Sequence, residues 1–286
     1  MRLLCALLFI ACAASAQAAI QTREMPYRSA DGTRMVGYFA YDDSKPGIRP
    51  GVIVVHEWWG LNDYAKRRAR DLAELGYSAL AIDMYGEGKH TEHPQDAMAF
   101  MQAATRDADA AKARFLAGLE LLKRQPQTDP SQIAAIGYCF GGKIVLDMAR
   151  QGLPLAGVAS FHGALGTATP ASKGSVKAKI LVEHGSADSL VPAKDLDALK
   201  QELNAAGADY RVVIQDDAKH GFTNPDADAH KGHGLDIGYD RQADQRRDHD
   251  EHADAQLEQA QHQPRHLCGA GASGAREGGR VHRGSS

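Results

Sequence analysis

The sequence predicts an α/β fold built on one mostly parallel, doubly wound β-sheet with helices on both faces. Short apolar runs rich in β-branched residues recur along the chain, and such runs are typical of strands that are buried on both faces. Longer segments with helical periodicity lie between them, and this alternation favours a parallel sheet. The chain has 286 residues, enough for one large α/β domain, so we expect no large cap domain.

The elements follow in a regular order. The run at 32–41 predicts an early edge strand of a hairpin. Six further runs predict core strands, at residues 50–57, 77–83, 132–138, 156–163, 178–185 and 210–216. Periodic segments between them predict helices, at residues 62–75, 95–123, 141–150 and 193–206. Asn62 is the predicted cap of the first helix, and Gly76 is expected to end it.

The bulk composition argues against several classes of function. The formal net charge is −3, and the sequence lacks the basic surplus that nucleic-acid binding requires. We therefore expect no nucleic-acid partner, and we interpret the protein as a monomer that binds a small molecule. No compact metal-ligand spacing recurs, so neither a metal nor a cofactor is expected.

The first residues read as a secretory signal peptide. Arg2 precedes an apolar run from Leu3 to Ala14, and Ala16-Gln17-Ala18 is a small-x-small cleavage site. Residues 1–18 are therefore predicted to be removed, leaving a periplasmic or secreted protein that is not anchored in the membrane. Lipoprotein processing before Cys12 is a less favoured alternative, since it would leave a very short apolar core.

The chain changes character after residue 240. Residues 241–286 contain no Phe, Tyr, Trp, Ile or Met, and they are rich in Gln, His, Asp, Arg and Gly. Such a composition buries too little apolar surface to form part of a core. We therefore predict one α/β domain over residues 19–240 and a polar tail that is disordered, or helical only near residues 253–261.

The stretch "GYCFGG" contains the candidate nucleophile. Cys139 follows a predicted core strand and precedes a predicted helix, and a sharp strand-to-helix turn is where a nucleophile stands at the edge of such a sheet. Gly137 and Gly141 relieve crowding in this turn. The helix N-terminus favours a thiolate at the sulfur. The alternative is that Cys139 is a small buried hydrophobe, which is common for a free cysteine.

Two further residues complete a candidate triad. Asp188 follows one core strand and His220 follows the next, so all three side chains belong at the same edge of the sheet. The chain order of nucleophile, acid and histidine is the order found in α/β-hydrolases. His220 is the candidate base, and Asp188 is expected to fix its tautomer.

The stretch "HEWWG" ends the first core strand, where an oxyanion-binding loop belongs. It lacks the second histidine of a zinc-protease motif, because Gly60 stands there. The backbone N–H groups of Trp58 and Phe140 are the candidate oxyanion donors. Glu57 has two interpretations, a functional acid or a solvated loop carboxylate. Six residues are candidates for an aromatic pocket or for core packing: Trp58, Trp59, Tyr85, Tyr138, His162 and Phe222.

Together these segments resemble the dienelactone hydrolase family, a cysteine-using branch of the α/β-hydrolases. The resemblance runs from about Thr22 to Asp240 and is carried by "HEWWGLN", "AIDMYG", "GYCFGG", "HGSADSLVP" and "HGFTNPDADAHKGHGLDIGYD". It implies an α/β-hydrolase fold and a triad of Cys139, His220 and Asp188. It also implies that Glu57 contacts the resting thiol and is displaced when substrate binds.

The sequence departs from the family at three places. Family members that cleave dienelactone bind its carboxylate with two arginines, whereas the matching positions here hold Glu87 and Asn224. We therefore expect neutral substrates to be preferred. The family also ends in an amphipathic helix that packs on the sheet, and its absence after Asp240 suggests a change of reading frame in the gene.

The sequence thus predicts an exported hydrolase of small esters or lactones that forms an acyl-cysteine intermediate. Two alternatives stay open at this point. One is a non-catalytic binding protein on the same fold, and the other is a damaged gene product whose core folds poorly.

Overall fold

The structure of the protein is a computed structural model, and it describes residues 20–245. The predicted signal peptide and most of the predicted tail, including residues 253–261, lie outside this range. No helix in the described range is long and apolar enough to cross a membrane.

A single eight-stranded sheet forms the centre of the domain, in the order β1-β2-β4-β3-β5-β6-β7-β8. The strands are β1 (Ile20–Arg28), β2 (Arg34–Asp42), β3 (Arg49–Val55), β4 (Ser78–Ile82), β5 (Thr128–Tyr138), β6 (Gly157–Phe161), β7 (Lys179–Gly185) and β8 (Tyr210–Gln215). The β1–β2 and β2–β4 pairs are antiparallel, and the other pairs are parallel. This arrangement confirms the predicted α/β-hydrolase fold.

Five helices connect the strands of the described chain. They are α1 (Asp63–Glu74), α2 (Pro94–Thr105), α3 (Ala108–Lys123), α4 (Phe140–Arg150) and α5 (Ala193–Ala206). The side chain of Asn62 caps α1 as expected by accepting the Ala65 N–H, and Gly76 follows the helix with a φ of 102°. A short 3₁₀ helix spans Ala227–His233, which the sequence patterns did not predict.

Two apolar layers hold the helices on the sheet. One face carries α1 through residues such as Tyr64, Ala69 and Leu72. The other face carries α3, α4 and α5 in a layer that includes Phe115, Leu119, Leu146 and Leu199. The central strands β3 and β4 are covered on both faces, which explains their continuous apolar sequences.

Besides shifts of strand ends, such as the start of β5 at Thr128 instead of residue 132, three features of the fold differ from the sequence prediction. The edge strand of the sheet is β1, whose largely exposed polar residues gave no hydrophobic signal. The strand predicted as the edge at 32–41 is β2, which lies between β1 and β4. The helical segment at 95–123 is two helices, because Asp107 caps α3 by accepting the Asp109 N–H. Residues 241–245 are helical and Ala243 is fully buried, so the folded domain extends past Asp240 at least to Gln245.

Candidate active site

The candidate catalytic residues all follow the carboxyl ends of parallel strands. Cys139 comes directly after β5, Asp188 lies three residues after β7, and His220 lies in the loop after β8. Glu57 is two residues past β3. Because these strands belong to the parallel part of one sheet, their carboxyl ends bring the four side chains to the same edge of that sheet.

Cys139 stands in a strained turn between β5 and α4. Its φ of 53° and ψ of −113° are unusual for a residue with a side chain, and such strain costs on the order of 1–3 kcal/mol. A Cβ at Gly137 would lie 2.1 Å from the Gly141 carbonyl oxygen, and one at Gly141 would lie 2.2 Å from that of Val55. The turn therefore requires both glycines. The Cys139 side chain is partly exposed, so it is not a fully buried core residue.

The structure brings the predicted triad together. His220 Nδ1 lies 2.9 Å from Asp188 Oδ2, and the His220 side chain also interacts electrostatically with the thiol of Cys139. Asp188 is itself fixed, because its Oδ1 accepts the backbone N–H groups of Leu190 and Val191 at 2.9 and 3.1 Å. With Nδ1 held by the carboxylate, the remaining ring nitrogen, Nε2, is the atom that serves the thiol.

The electrostatics of the site favour a protonated histidine. Burial alone would lower the pKa of His220, but the charges of Cys139 and Asp188 and their hydrogen bonds raise it to about 10. An imidazolium beside the sulfur stabilises negative charge on it. The arrangement therefore favours the imidazolium form of His220 next to the sulfur.

Glu57 is buried and bonded to an amide. It is 4% exposed, which excludes the solvated interpretation, and its Oε2 accepts a 2.7 Å hydrogen bond from Asn224 Nδ2. Burial raises the pKa of Glu57 to about 7, although the bond from Asn224 and the charge of His220 oppose this rise. The family resemblance implies a contact between Glu57 and the thiol, whereas here the acid pairs with Asn224 and the thiol pairs with His220.

The two candidate oxyanion donors lie at well-defined positions. Phe140 is the first residue of α4, where the backbone N–H groups have no partner within the helix. Trp58 lies in the turn closed by the Gly60 N–H and the Glu57 carbonyl at 3.1 Å. The Tyr85 hydroxyl donates to the Trp58 carbonyl at 3.0 Å and fixes this turn from the side.

His56 joins this turn to the loop after β4. Its Nδ1 lies 2.5 Å from the Glu57 carbonyl, and its Nε2 accepts the Met84 N–H at 3.2 Å. Burial lowers the pKa of His56, so the ring is neutral and can act as donor and acceptor at once. Sequence reasoning missed this role, although the position of His56 at the end of a core strand was a usable signal.

The residues predicted to form an aromatic pocket differ in how exposed they are. Tyr138, His162 and Phe222 are fully buried and belong to the packed interior. Trp59 is 3% exposed and stacks on His230 of the 3₁₀ helix with ring centroids 4.0 Å apart. Trp58 is partly exposed, which makes it the aromatic residue of this group that is most open to a ligand.

Glu87 lies in a different place from the one expected. It lines an open groove of about 360 Å³ beside the β1–β2 hairpin, together with Arg28 and Arg34. No residue of this groove belongs to the candidate triad. The expectation that neutral substrates are preferred therefore rests on Asn224 alone. This residue is hydrogen-bonded to Glu57, which in turn interacts with His220 of the triad.

Comparison with known proteins now identifies the family. A sequence model described as the dienelactone hydrolase family matches residues 35–253. The chain belongs to the dienelactone hydrolase family. This makes it a hydrolase of the carboxylic ester class. The match ends beyond Asp240, so family-like sequence continues further than the motifs indicated.

Several relatives support this membership. The chain is 30% identical to Protein usf of Aquifex pyrophilus, over 68% of this chain and 84% of that protein. It is 26% identical to a putative carboxymethylenebutenolidase of Yersinia pestis, over 74% of this chain and 83% of that protein.

Solved structures agree with the fold. A dienelactone hydrolase-like promiscuous phosphotriesterase from metagenomic libraries is 38% identical, with a TM-score of 0.74 over 80% of this chain and 94% of its own. A putative dienelactone hydrolase from Klebsiella pneumoniae has a TM-score of 0.67 over 79% of this chain and 94% of its own. At 22% identity the second similarity concerns the fold alone.

A metal centre has no support in the described range. Among residues 20–245 no group of three or more His, Cys, Asp or Glu side chains is arranged to hold a metal ion.

Proposed function

We propose that this protein hydrolyses small neutral esters or lactones through an acyl-cysteine intermediate on Cys139. The observation that carries the proposal is the triad, in which His220 is hydrogen-bonded to Asp188 at 2.9 Å and interacts electrostatically with Cys139. The strained, partly exposed position of Cys139 supports it further. A non-catalytic binding protein has no need for this arrangement.

In the first half of the reaction, the sulfur of Cys139 attacks the substrate carbonyl carbon. The thiol proton resides on His220, and the carbonyl oxygen becomes an oxyanion facing the N–H groups of Trp58 and Phe140. The intermediate collapses as the bond to the leaving alcohol breaks, and His220 gives its proton to that oxygen. A thioester on Cys139 and a free alcohol result; with a lactone, the alcohol stays attached to the acyl group.

In the second half, water replaces the alcohol. His220 takes a proton from the water as it attacks the thioester carbon, and the same N–H groups bind the second oxyanion. The C–S bond then breaks, which releases the carboxylic acid and returns the thiolate–imidazolium pair. Asp188 keeps its hydrogen bond to His220 throughout and stabilises the imidazolium.

The preference for neutral substrates follows from Asn224. This residue has no charge, and its Nδ2 is committed to Glu57, so it offers no cation to a substrate carboxylate. A buried carboxylate beside the site repels an anionic substrate when it is ionised.

An ester panel tests the proposal. Paired acyl esters of equal length, one neutral and one ending in a carboxylate, are compared by kcat/KM, and mass spectrometry of acid-quenched samples identifies the acylated peptide. We expect the neutral member to react faster and the acyl mass to appear on the Cys139 peptide. Cys139→Ala should lose both signals, whereas Asp236→Asn, an exposed control, should retain them. Turnover by Cys139→Ala at the wild-type rate would disprove the mechanism.

A second substrate class comes from one comparison. The 38% identical neighbour is described as a promiscuous phosphotriesterase, and an oxyanion site for carbonyl addition also suits a phosphoryl oxygen. A neutral aryl phosphotriester in the same panel separates the two classes. If it alone is turned over, carboxylic ester hydrolysis is the wrong assignment.

We also propose that the mature protein acts outside the cytoplasm. The support is the predicted signal peptide of residues 1–18. Fractionation of a bacterial host that expresses the full chain tests it. The expected result is a periplasmic protein with its N-terminus at Ala19, and full-length protein in the cytoplasm would contradict it.

A further inference from the structure

A buried polar cluster lies behind the loop that carries His220, and the reaction steps above do not use it. Its centre is Thr223, which is fully buried three residues after the base. The Thr223 hydroxyl lies 2.6 Å from Tyr64 Oη and 2.8 Å from His162 Nε2. A hydroxyl has one hydrogen to donate, so one of its neighbours must donate to it.

The backbone of Thr223 is held by a buried arginine. Arg68 of α1 is 6% exposed, and its Nη2 donates to the Thr223 carbonyl at 2.6 Å and to Asp244 Oδ1 at 2.6 Å. The guanidinium also lies over the Tyr64 ring, 5.2 Å from its centroid. A buried guanidinium that is paired with a carboxylate forms strong, directional hydrogen bonds. Arg68 therefore ties the loop to α1 and to the segment after Asp240.

Thr223 is linked both to the catalytic histidine and to Glu57. The His162 ring packs edge-on against the His220 ring, with centroids 5.1 Å apart. On the other side, Asn224 follows Thr223 directly and donates to Glu57. His162 itself has a φ of 41°, an unusual backbone conformation for a residue with a side chain.

We propose that Thr223 is a positioning residue for the catalytic base. Its hydroxyl and its carbonyl fix residues 220–224 so that His220 meets Cys139 and Asn224 meets Glu57. Loss of the hydroxyl removes its hydrogen bonds to Tyr64 and to the His162 ring, and without these bonds the loop is held less firmly in position. This inference rests on the proposed function, because it takes His220 to be the base.

Paired substitutions test the kinetic consequence. Thr223→Val keeps the shape and removes the hydroxyl, whereas Thr223→Ser keeps the hydroxyl. A displacement of about 1 Å at a catalytic group costs on the order of 10²-fold in rate. We therefore expect Thr223→Val to lower kcat about 100-fold with KM changed less than about 3-fold, and Thr223→Ser to stay within about 3-fold of the wild type.

A matched control separates positioning from general destabilisation. Thr128 is another buried threonine, 3% exposed, at the opposite end of β5 from Cys139. Thr128→Val should leave kcat unchanged. Equal damage from Thr128→Val and Thr223→Val would overturn the proposal, as would wild-type kcat in Thr223→Val.

A second variant covers the case in which Thr223→Val does not fold. Arg68→Lys keeps the charge but cannot reproduce the fork of donors that reaches both Thr223 and Asp244. It should lower kcat about 10-fold with little effect on KM. Wild-type kcat in Arg68→Lys would also overturn the proposal.

Thiol alkylation gives a readout that needs no substrate. The iodoacetamide reaction of Cys139 in the full chain is followed by peptide mass spectrometry at pH 6.5. We expect Thr223→Val to slow it at least about 10-fold, because a displaced His220 no longer activates the sulfur. If the wild type cleaves no ester, the proposed function fails, yet this rate still decides the positioning role: equal rates in wild type and Thr223→Val would reject it.

Discussion

Replacing Asp188 by asparagine changes one atom and inverts the hydrogen bonding of the base. Asp188 Oδ1 accepts two backbone N–H groups, and an asparagine oxygen can keep both bonds. The second atom becomes an NH₂ group that donates to His220 Nδ1, where the carboxylate oxygen accepted at 2.9 Å. His220 must then carry its proton on Nε2, the nitrogen that faces the thiol, and it can no longer take a proton there.

The size of the effect follows from the chemistry of the nucleophile. The same inversion of tautomer in a serine triad costs about 10⁴-fold in kcat. A thiol depends less on its base than a hydroxyl does, so we expect a loss of about 10³-fold for Asp188→Asn, or about 4 kcal/mol of transition-state stabilisation.

The assay is steady-state hydrolysis of a neutral aryl ester, with circular dichroism to verify folding. Asp236→Asn is the matched control, because that carboxylate is exposed and bonds to Ser189 and Lys219 on the surface. The control should keep kcat within about 2-fold, as surface substitutions usually do. If Asp188→Asn folds and keeps more than a tenth of wild-type kcat, Asp188 does not set the tautomer and the triad assignment fails.

Four further predictions follow from single contacts. Glu57→Gln should raise the free energy of unfolding by up to about 3 kcal/mol at pH 8 and by almost nothing at pH 4.5. The reason is that Glu57 keeps its proton up to about pH 7 in the folded state but only up to about pH 4.5 in the unfolded state, so its contribution to stability is lost as the pH rises from 4.5 through 7. Urea titrations of both proteins at the two pH values measure this difference. Asn224→Arg should increase kcat/KM for carboxylate-bearing esters relative to their neutral partners in the same panel, and an unchanged ratio would show that position 224 does not read substrate charge. His56→Phe should lower kcat at least about 10-fold, because it removes the hydrogen bonds by which His56 joins the two loops. If a melting curve shows that the variant is already partly unfolded at the assay temperature, the loss of activity is due to unfolding instead. Gly118→Ala should lower stability by about 1–3 kcal/mol despite the better helix propensity of alanine, since its Cβ would lie 2.5 Å from Ile82 Cγ2, and a rise in melting temperature would contradict this packing argument.

The predictable part of the fold is the part with a dense hydrophobic signal. Strands β3 and β4 are buried on both faces, and their apolar runs gave bounds within about two residues of those observed. Strand β1 gave no such signal, because an exposed edge strand gains its stability from backbone pairing with β2. The break at Asp107 was hidden because neither glycine nor proline marks it.

The candidate site also has one part that could be predicted from the sequence and one part that could not. Cys139, Asp188 and His220 were predictable because each occupies a short motif directly after a core strand. The cluster at Thr223 was not, because its members come from distant elements and meet only in the folded chain. One signal was present: Arg68 shares the apolar face of α1 with Ala65 and Leu72, at helical spacing, and a charge there requires a buried partner.

The asparagine at position 224, where the family resemblance implies an arginine, has two consequences. An arginine at position 224 would supply a positive charge both to a substrate carboxylate and to Glu57. Asn224 supplies a hydrogen bond of 2.7 Å but no charge, so the burial of Glu57 is uncompensated and its pKa rises to about 7. Position 224 therefore carries no cation, and the buried acid changes its charge within the physiological pH range. Below pH 7 Glu57 is neutral, whereas above pH 7 its negative charge stabilises the imidazolium of His220, the group whose charge acts on it. Substrate preference and pH response should therefore change together when position 224 is altered.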